Sequence, residues 1–239
     1  MPQAASALDR EPYLQAIVLG IAKSGKSYSC ILSLTKAFGN GYVIACGTKG
    51  GMTAVSKVTK KFDFDTINSE RDMEAAIKEA RRGVSEKAYK WVFVDDFSLY
   101  CSWLEGELRD ESSQGGTKEP DGRRVYPELK QRIMNIARRL LDLNAHVIFA
   151  CHWVNPSKEI QGQKAKAGDG IVPMIPGAAR EELPALFQDV IFLDVVDENK
   201  RVFKINPLGV WGPGCRSVDG TQEIPADLGL FFKMAQGRK

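Results

Sequence analysis

Eight residues near the start of the chain constrain its fold more than any other feature. Gly20–Ser27 reads GIAKSGKS, which fits the pattern G-x-x-x-x-G-K-[ST]. The apolar run Ala16–Leu19 before it is typical of a buried strand, and Tyr28–Phe38 after it can form a helix. A strand, a tight glycine turn and a helix N-terminus direct backbone N–H groups and the helix dipole at one point, where they favour an anion. The segment therefore predicts a phosphate-binding loop.

Each part of this loop has an expected role in binding ATP and Mg²⁺. Gly25 lets the backbone approach the phosphates closely, and Lys26 reaches the β- and γ-phosphates. Ser27 places its hydroxyl on Mg²⁺. The predicted ATP-binding residues are Gly20, Ile21, Ala22, Lys23, Ser24, Gly25, Lys26, Ser27 and Tyr28.

Size and composition fit one large α/β domain. The chain has 239 residues, enough for a substantial core, and its net charge of +3 is too small to indicate a nucleic-acid partner by itself. No apolar run approaches the roughly 20 residues that span a membrane, and the N-terminus has no apolar signal core. The five cysteines form no C-x-x-C motif, so we expect free thiols in the cytoplasm. We expect an arm at 1–14 and a single domain at 15–239.

Strands alternate with helices along the chain, which predicts a mostly parallel sheet covered on both faces. We predict a first strand at 15–19 and further strands at 42–46, 62–65, 91–94, 145–151, 189–195 and 201–205, the last two joined by a hairpin. Helices are predicted at 70–82, 97–108 and 126–143, with a polar loop at 109–124. In such sheets ligands bind at the carboxyl ends of the strands, where the phosphate loop, Asp95-Asp96 and His152 should converge.

Two carboxylates follow the apolar run Trp91–Val94, in the manner of a Walker B strand. We assign Asp95 to Mg²⁺, which prefers oxygen ligands and keeps several waters. Asp96 either orients or deprotonates the attacking water, or caps the next helix. The 69 positions between Lys26 and Asp95 hold at least one strand, which fits the additional-strand class of P-loop ATPases. In related ATPases the end of the strand at 145–151 carries a γ-phosphate sensor, and His152 is either that sensor or a structural histidine.

A family resemblance rests on the C-terminal half. It reads CHWVNPSKEIQGQKAKAGDGIVPMIPGAAREELPALFQDVIFLDVV and then RVFKINPLGVWGPGCRSVDGTQEIPADLGLFF. A histidine after a strand, a glycine-rich loop, I-P-G before a helix, F-Q-D-V-I-F-L, a hairpin and a terminal I-P-x-D-L follow in order. Over roughly 15–232 the chain resembles phage RecA-like P-loop ATPases, and within them the Sak-type single-strand-annealing group. The resemblance implies an α/β RecA-like fold with a C-terminal β-hairpin.

Two positions depart from the pattern of these proteins. Where members often carry an acidic residue after the second strand, this chain has Cys46-Gly47, so either hydrolysis relies on Asp96 or another group, or it is slow. The late K-x-R pair is reduced to Arg216. The resemblance implies that Arg216 acts as a finger on a neighbouring subunit's nucleotide, a role worth about 10³–10⁵ in rate, with Lys204 as its competitor and surface charge as the alternative for both.

Two long loops are candidate contacts for single-stranded DNA. In RecA-like proteins the loop corresponding to 153–181 contacts DNA. Basic groups with occasional aromatics suit backbone tracking and base stacking, although both loops can equally be solvated. Four acidic residues weaken the loop at 109–124 as a DNA binder. The DNA candidates are Lys158, Lys164, Lys166 and Arg180 in the later loop and Arg123 and Arg124 in the earlier one.

These features predict an ATP-hydrolysing, single-stranded-DNA-binding protein of phage recombination, in the host cytoplasm. We expect a homo-oligomeric ring or filament, with a single-strand-binding protein as a further candidate partner. The first alternative is an ATP-dependent assembly switch that binds no DNA, which the missing acidic residue motivates. The second is a small-molecule kinase, for which 109–124 is the only lid candidate.

Overall fold

The computed structural model describes residues 13–47, 50–113, 122–154, 171–198, 200–205, 214–218, 220 and 222–237. Its central sheet has eight strands in the order β10-β9-β8-β1-β5-β4-β2-β3. The six strands from β8 to β3 are parallel, and β9 and β10 add antiparallel hairpin strands at one edge. The strands are Gln15–Leu19 (β1), Gly41–Cys46 (β2), Phe62–Ile67 (β3), Trp91–Asp95 (β4), His146–Cys151 (β5), Asp189–Val195 (β8), Arg201–Ile205 (β9) and Gln222–Pro225 (β10).

Helices cover both faces of this sheet. Side chains alternate along each strand, so that Ile17 and Leu19 of β1 join one buried apolar cluster while Ala16 and Val18 join the other. A two-stranded ribbon pairs Trp153–Val154 (β6) with Val172–Pro173 (β7). The helices are Lys26–Phe38 (α1), Gly50–Ser56 (α2), Glu70–Ser85 (α3), Phe97–Ser113 (α4), Gly122–Leu141 (α5), Ala179–Glu182 and Leu228–Ala235, and a 3₁₀ turn spans Leu183–Leu186.

The position of β5 confirms that the sheet belongs to the additional-strand class. The additional strand is not one of those between Lys26 and Asp95 in sequence, on which the prediction relied. In space β5 lies between β1, which carries the phosphate loop, and β4, which ends in Asp95. This is the additional strand, and it follows β4 in sequence. The strands in the interval from Lys26 to Asp95 are β2 and β3, and both lie on the far side of β4.

The predicted loop at 109–124 is wrong at both ends. Residues 109–113 continue α4, where Arg109 forms an ion pair with Glu105 one turn earlier, and 122–124 are the first turn of α5. Only 114–121 remain as the lid that a small-molecule kinase would need, and they lie outside the described residues. Among the described helices, none is long and apolar enough to cross a membrane.

Candidate functional site

The turn after β1 has the backbone geometry of a phosphate loop. The Gly20 N–H donates to the Cys151 carbonyl of β5 at 3.1 Å, which fixes the start of the loop against the neighbouring strand. Gly25 has φ of +88°, a left-handed conformation that favours glycine, and it immediately precedes α1. The first N–H groups of α1 therefore begin at the loop, as the sequence predicts.

Lys26 is held at the centre of the site by the loop itself. The side chain is only 6% exposed, and its Nζ donates to the carbonyls of Gly20 at 3.0 Å and Ile21 at 3.1 Å. The same nitrogen lies 3.1 Å from His152 Nδ1 and 3.5 Å from Asp96 Oδ2. Strand ends far apart in sequence thus meet around one ammonium group, which confirms their predicted convergence.

Ser27 and Asp95 form an oxygen pair that fits Mg²⁺. The Ser27 hydroxyl donates to Asp95 Oδ2 at 2.5 Å. Burial, and to a lesser extent the nearby Asp96, raise the pKa of Asp95 to about 6, although the Ser27 hydrogen bond and Lys26 oppose that rise. A buried carboxylate of this kind is stabilised by a cation, and Mg²⁺ prefers one or two such oxygens together with water and phosphate.

Asp96 uses its two carboxylate oxygens differently. Oδ1 accepts the backbone N–H of Ser98 at 2.9 Å, which is the hydrogen bond of a helix cap for α4. Oδ2 is buried without a well-formed hydrogen bond, 3.2 Å from His152 Nε2 and 3.5 Å from Lys26 Nζ. The capping alternative is therefore confirmed for one oxygen, while the other faces the phosphate loop.

His152 bridges Lys26 and Asp96 at the end of β5. Its backbone N–H donates to the Ser98 hydroxyl at 2.9 Å, which ties the residue to the first turn of α4. Its Nδ1 faces the Lys26 ammonium and its Nε2 faces the Asp96 carboxylate, so the ring lies between a cation and an anion. The imidazole thus occupies the position predicted for a sensor.

A comparison with protein families decides the identity of this domain. A family of AAA domains, AAA_24, matches residues 13–211. The chain belongs to this AAA family. It therefore carries an AAA-type P-loop ATPase domain, with the predicted α/β RecA-like fold and C-terminal β-hairpin.

Solved structures agree with this fold. One similar structure is described as a prototypical ATPase from the type III secretion system of pathogenic bacteria. The two chains are 14% identical, with a TM-score of 0.50 over 75% of this chain and 52% of that chain. The AAA domain thus spans about half the length of that relative, and the likeness concerns the fold alone. Comparison with curated protein sequences finds no match.

The predicted finger residue lies far from the phosphate loop of its own chain. The Arg216 N–H donates to the Gln188 carbonyl at 3.2 Å, and the Gln188 N–H donates to the Gln15 carbonyl at the amino end of β1. The phosphate loop begins at the other end of that five-residue strand, about 16 Å away at 3.3 Å per residue. Arg216 is exposed. Its competitor Lys204 forms ion pairs with Asp194 at 2.6 Å and Glu223 at 3.7 Å.

The predicted DNA residues are only partly within the described structure. Lys158, Lys164 and Lys166 lie outside the described residues. Arg180 is half-buried in the helix Ala179–Glu182, and Arg123 and Arg124 are exposed in the first turn of α5. The last two are helical residues, which differs from the loop predicted for them.

Sequence reasoning missed two residues that shape the site. Ser98 holds the backbone of His152, and the Arg201 side chain donates from Nε to the Ser24 carbonyl of the phosphate loop at 2.7 Å. Ser98 is close enough to Asp95-Asp96 in sequence to be considered with them. Arg201 is 177 positions from Ser24, and no local pattern links the two.

Proposed function

We propose that this AAA domain binds and hydrolyses ATP with Mg²⁺ and that the bound nucleotide controls its affinity for single-stranded DNA. The observation that carries the proposal is the contact between Lys26 and His152 at 3.1 Å, because His152 directly precedes β6. A group that senses phosphate is thus continuous in the chain with a candidate DNA segment.

The chain's own residues supply binding and proton chemistry. Mg²⁺, when bound, neutralises charge on the transferring phosphoryl group. Ser27 and Asp95 would hold the metal, and Lys26 would exchange its loop carbonyls for phosphate oxygens. The second Asp96 oxygen is positioned to accept a proton from an attacking water, and His152 Nε2 lies 3.2 Å from that oxygen.

The path from nucleotide to DNA runs through β6 and β7. The Met174 N–H donates to the His152 carbonyl at 2.8 Å, and Trp153 pairs with Pro173. These two strands flank 155–170, which carries three of the candidate lysines. Any shift of His152 towards a γ-phosphate would move both ends of that segment together.

The second basic segment adjoins the same region. Gly177 has φ of +67°, and a β-carbon there would lie 3.0 Å from the Tyr126 ring of α5. Lys130 of α5 forms an ion pair with Glu182 in the following short helix. Arg123 and Arg124 therefore belong to a helix that packs directly against the end of the later loop.

The wider role in the proposal follows from the Sak-type resemblance. It consists of phage DNA recombination or annealing by a homo-oligomeric ring or filament, with a single-strand-binding protein as a further partner. Arg216 supports assembly of this kind because it is exposed and remote from its own phosphate loop. It could reach a nucleotide only on another copy.

Salt-titrated binding of a labelled DNA single strand, with and without ATP and Mg²⁺, tests the DNA proposal. We expect ATP to tighten binding, salt to weaken it steeply, and Lys26→Ala to remove the ATP effect. The double variant Arg123→Ala/Arg124→Ala should reduce the salt slope. Its matched control, Arg71→Ala/Arg81→Ala, removes two exposed arginines from α3 and should not. Equal, negligible binding under all conditions would exclude the DNA role.

One observation favours an assembly switch with little turnover as a second candidate. At the end of β2, where an acidic residue is expected, Cys46 is buried, and its carbonyl accepts the Asp96 N–H at 3.3 Å. Burial holds the pKa of this thiol well above its usual value, so it remains protonated and cannot act as a base. Phosphate release by wild type that exceeds that of Lys26→Ala supports the ATPase. ATP binding with equal, background release supports the switch.

A further inference from the structure

A basic side chain from the C-terminal hairpin contacts the phosphate loop at the Ser24–Gly25 peptide. Arg201 is the first residue of β9, and its register partner Val195 ends β8 at the same edge of the sheet as the loop. Its Nε donates to the Ser24 carbonyl at 2.7 Å. A β-carbon placed on Gly25 would lie 2.6 Å from that same Nε, so the side chain packs directly on the Ser24–Gly25 peptide.

The position of this contact determines what it can do. A trans peptide is planar, and its C=O and N–H point in opposite directions. An arginine that holds the Ser24 carbonyl therefore also fixes the direction of the Gly25 N–H, which points away from the guanidinium. Backbone N–H groups on the inside are the donors that hold phosphates in loops of this type. The guanidinium also adds a permanent positive charge beside the same peptide.

We propose that Arg201 is a positioning residue for the diphosphate part of the nucleotide and that it acts in its own subunit through the Ser24–Gly25 peptide. The inference rests on the proposed binding of ATP. Arg201 would act on the nucleotide of its own subunit, whereas Arg216 is expected to act on that of a neighbouring subunit. Arg201 donates a hydrogen bond to the phosphate loop of its own chain, whereas Arg216 lies near the amino end of β1, away from that loop.

A residue that orients the loop has a distinct kinetic signature. ADP and ATP both carry the diphosphate, so loss of Arg201 should weaken both by the same factor. Such uniform binding raises KM and leaves kcat at saturating ATP nearly unchanged. A finger that contacts only the transferring group would instead lower kcat and leave ADP affinity unaffected.

The test compares the full chain with Arg201→Ala, Arg201→Gln and the control Lys200→Ala, which removes the adjacent exposed cation. The probes are fluorescent ADP and ATP with Mg²⁺, and the unfolding temperature is measured without nucleotide. We expect Arg201→Ala and Arg201→Gln to weaken binding of both nucleotides about tenfold, because apparent affinity falls in proportion to the fraction of molecules whose Ser24–Gly25 peptide is correctly oriented. Lys200→Ala should bind as wild type does.

Two results would overturn the inference. One is unchanged affinity for both nucleotides in Arg201→Gln. The other is a lower unfolding temperature with unchanged affinity per folded molecule, which would make Arg201 a structural link only. If Arg201→Ala does not fold, Arg201→Gln decides between these outcomes. If the wild type itself binds neither nucleotide, the proposed function is contradicted. That result differs from both outcomes above, in which the wild type binds and only the variants are compared with it.

Discussion

Asp95 illustrates how one residue can reduce stability while it serves a site. Burial raises its pKa to about 6, compared with 3.8 for a free aspartate. Keeping it ionised at neutral pH therefore costs about 3 kcal/mol of folding free energy at most, at about 1.4 kcal/mol per pKa unit. The carboxylate nevertheless has to be ionised to bind a divalent cation.

Asp95→Asn should consequently make the AAA domain more stable and less active. We expect its free energy of unfolding at pH 8, without nucleotide or metal, to rise by about 1–3 kcal/mol because a buried charge is removed. Mg²⁺-dependent ATP hydrolysis should fall to background. Urea unfolding and phosphate release measure the two effects.

Ser27→Ala is the matched control for this prediction. It removes the hydrogen-bond donor to Asp95 and leaves the buried charge in place. It should therefore lower stability and activity together. A less stable Asp95→Asn protein would contradict the assignment of Asp95 as a strained, functional carboxylate.

Residues next to strand ends could be predicted, and residues joined by the tertiary fold could not. The loop motif and the apolar runs fixed the expected positions of Lys26, Asp95 and His152, because parallel strands share one edge. The hydrogen bond from Arg201 to Ser24 depends on β9 pairing with β8, which in turn lies beside β1 in the sheet. No property of Arg201 or of its sequence neighbours indicates that it contacts Ser24.

At the scale of elements, strand sequence was informative because both faces of the sheet are buried. Apolar runs such as those of β1, β8 and β9 therefore have sharp ends, and the structure has the predicted bounds for all three. The C-terminal helix Leu228–Ala235 was not predicted, although Asp227 caps it by accepting the Leu230 N–H at 3.0 Å. That aspartate before an apolar run was an available signal.

The same substitution should have opposite effects in two helices. A β-carbon on Gly229 of the C-terminal helix would lie 2.6 Å from the Ala37 β-carbon of α1, so Gly229→Ala should separate these helices. We expect a loss of about 1–3 kcal/mol in the free energy of unfolding, as for other overpacked sites. Denaturant unfolding of the full chain measures it.

Gly106→Ala in α4 is the internal comparison. An added β-carbon at Gly106 meets no atom within 4 Å. Alanine is favoured over glycine in a helix by about 0.5–1 kcal/mol, so this variant should be more stable than wild type. Equal effects of the two substitutions would show that the Gly229–Ala37 contact is unimportant.

At the scale of the whole molecule, His146 lies where several elements meet. Its Nδ1 accepts the Leu14 N–H at 2.8 Å, and its ring packs against Phe38 at the end of α1 and Phe232 of the C-terminal helix. Burial lowers the pKa of His146 to about 4. Protonation therefore breaks a junction between the N-terminal strand, α1 and the C-terminal helix.

Stability should fall in acid because of this histidine. A group whose pKa is lowered from 6.5 to about 4 on folding contributes stability that is fully present above pH 6.5. That contribution, up to about 3 kcal/mol, is lost as the pH falls from 6.5 to 4. Urea unfolding at pH 7.5 and pH 4.5 measures the difference.

His146→Asn separates this effect from other titrations, including that of Asp95, which acts in the opposite direction between pH 6 and 3.8. Its amide oxygen can still accept the Leu14 N–H but cannot be protonated in this range. The variant should be less stable than wild type at pH 7.5 and should lose less stability on acidification. An identical pH dependence in the two proteins would contradict the role of His146.

The position of Arg216 gives the molecule two unlike ends. The phosphate loop faces one end of β1, and the chain around Arg216 is tied to the other. If Arg216 acts on a neighbour, identical copies associate head to tail, because a residue at one end has to meet a loop at the opposite end. A closed ring then completes every site. An open filament leaves one loop without an arginine at one terminus and one arginine without a loop at the other, so its two ends hydrolyse ATP unequally and the filament is polar.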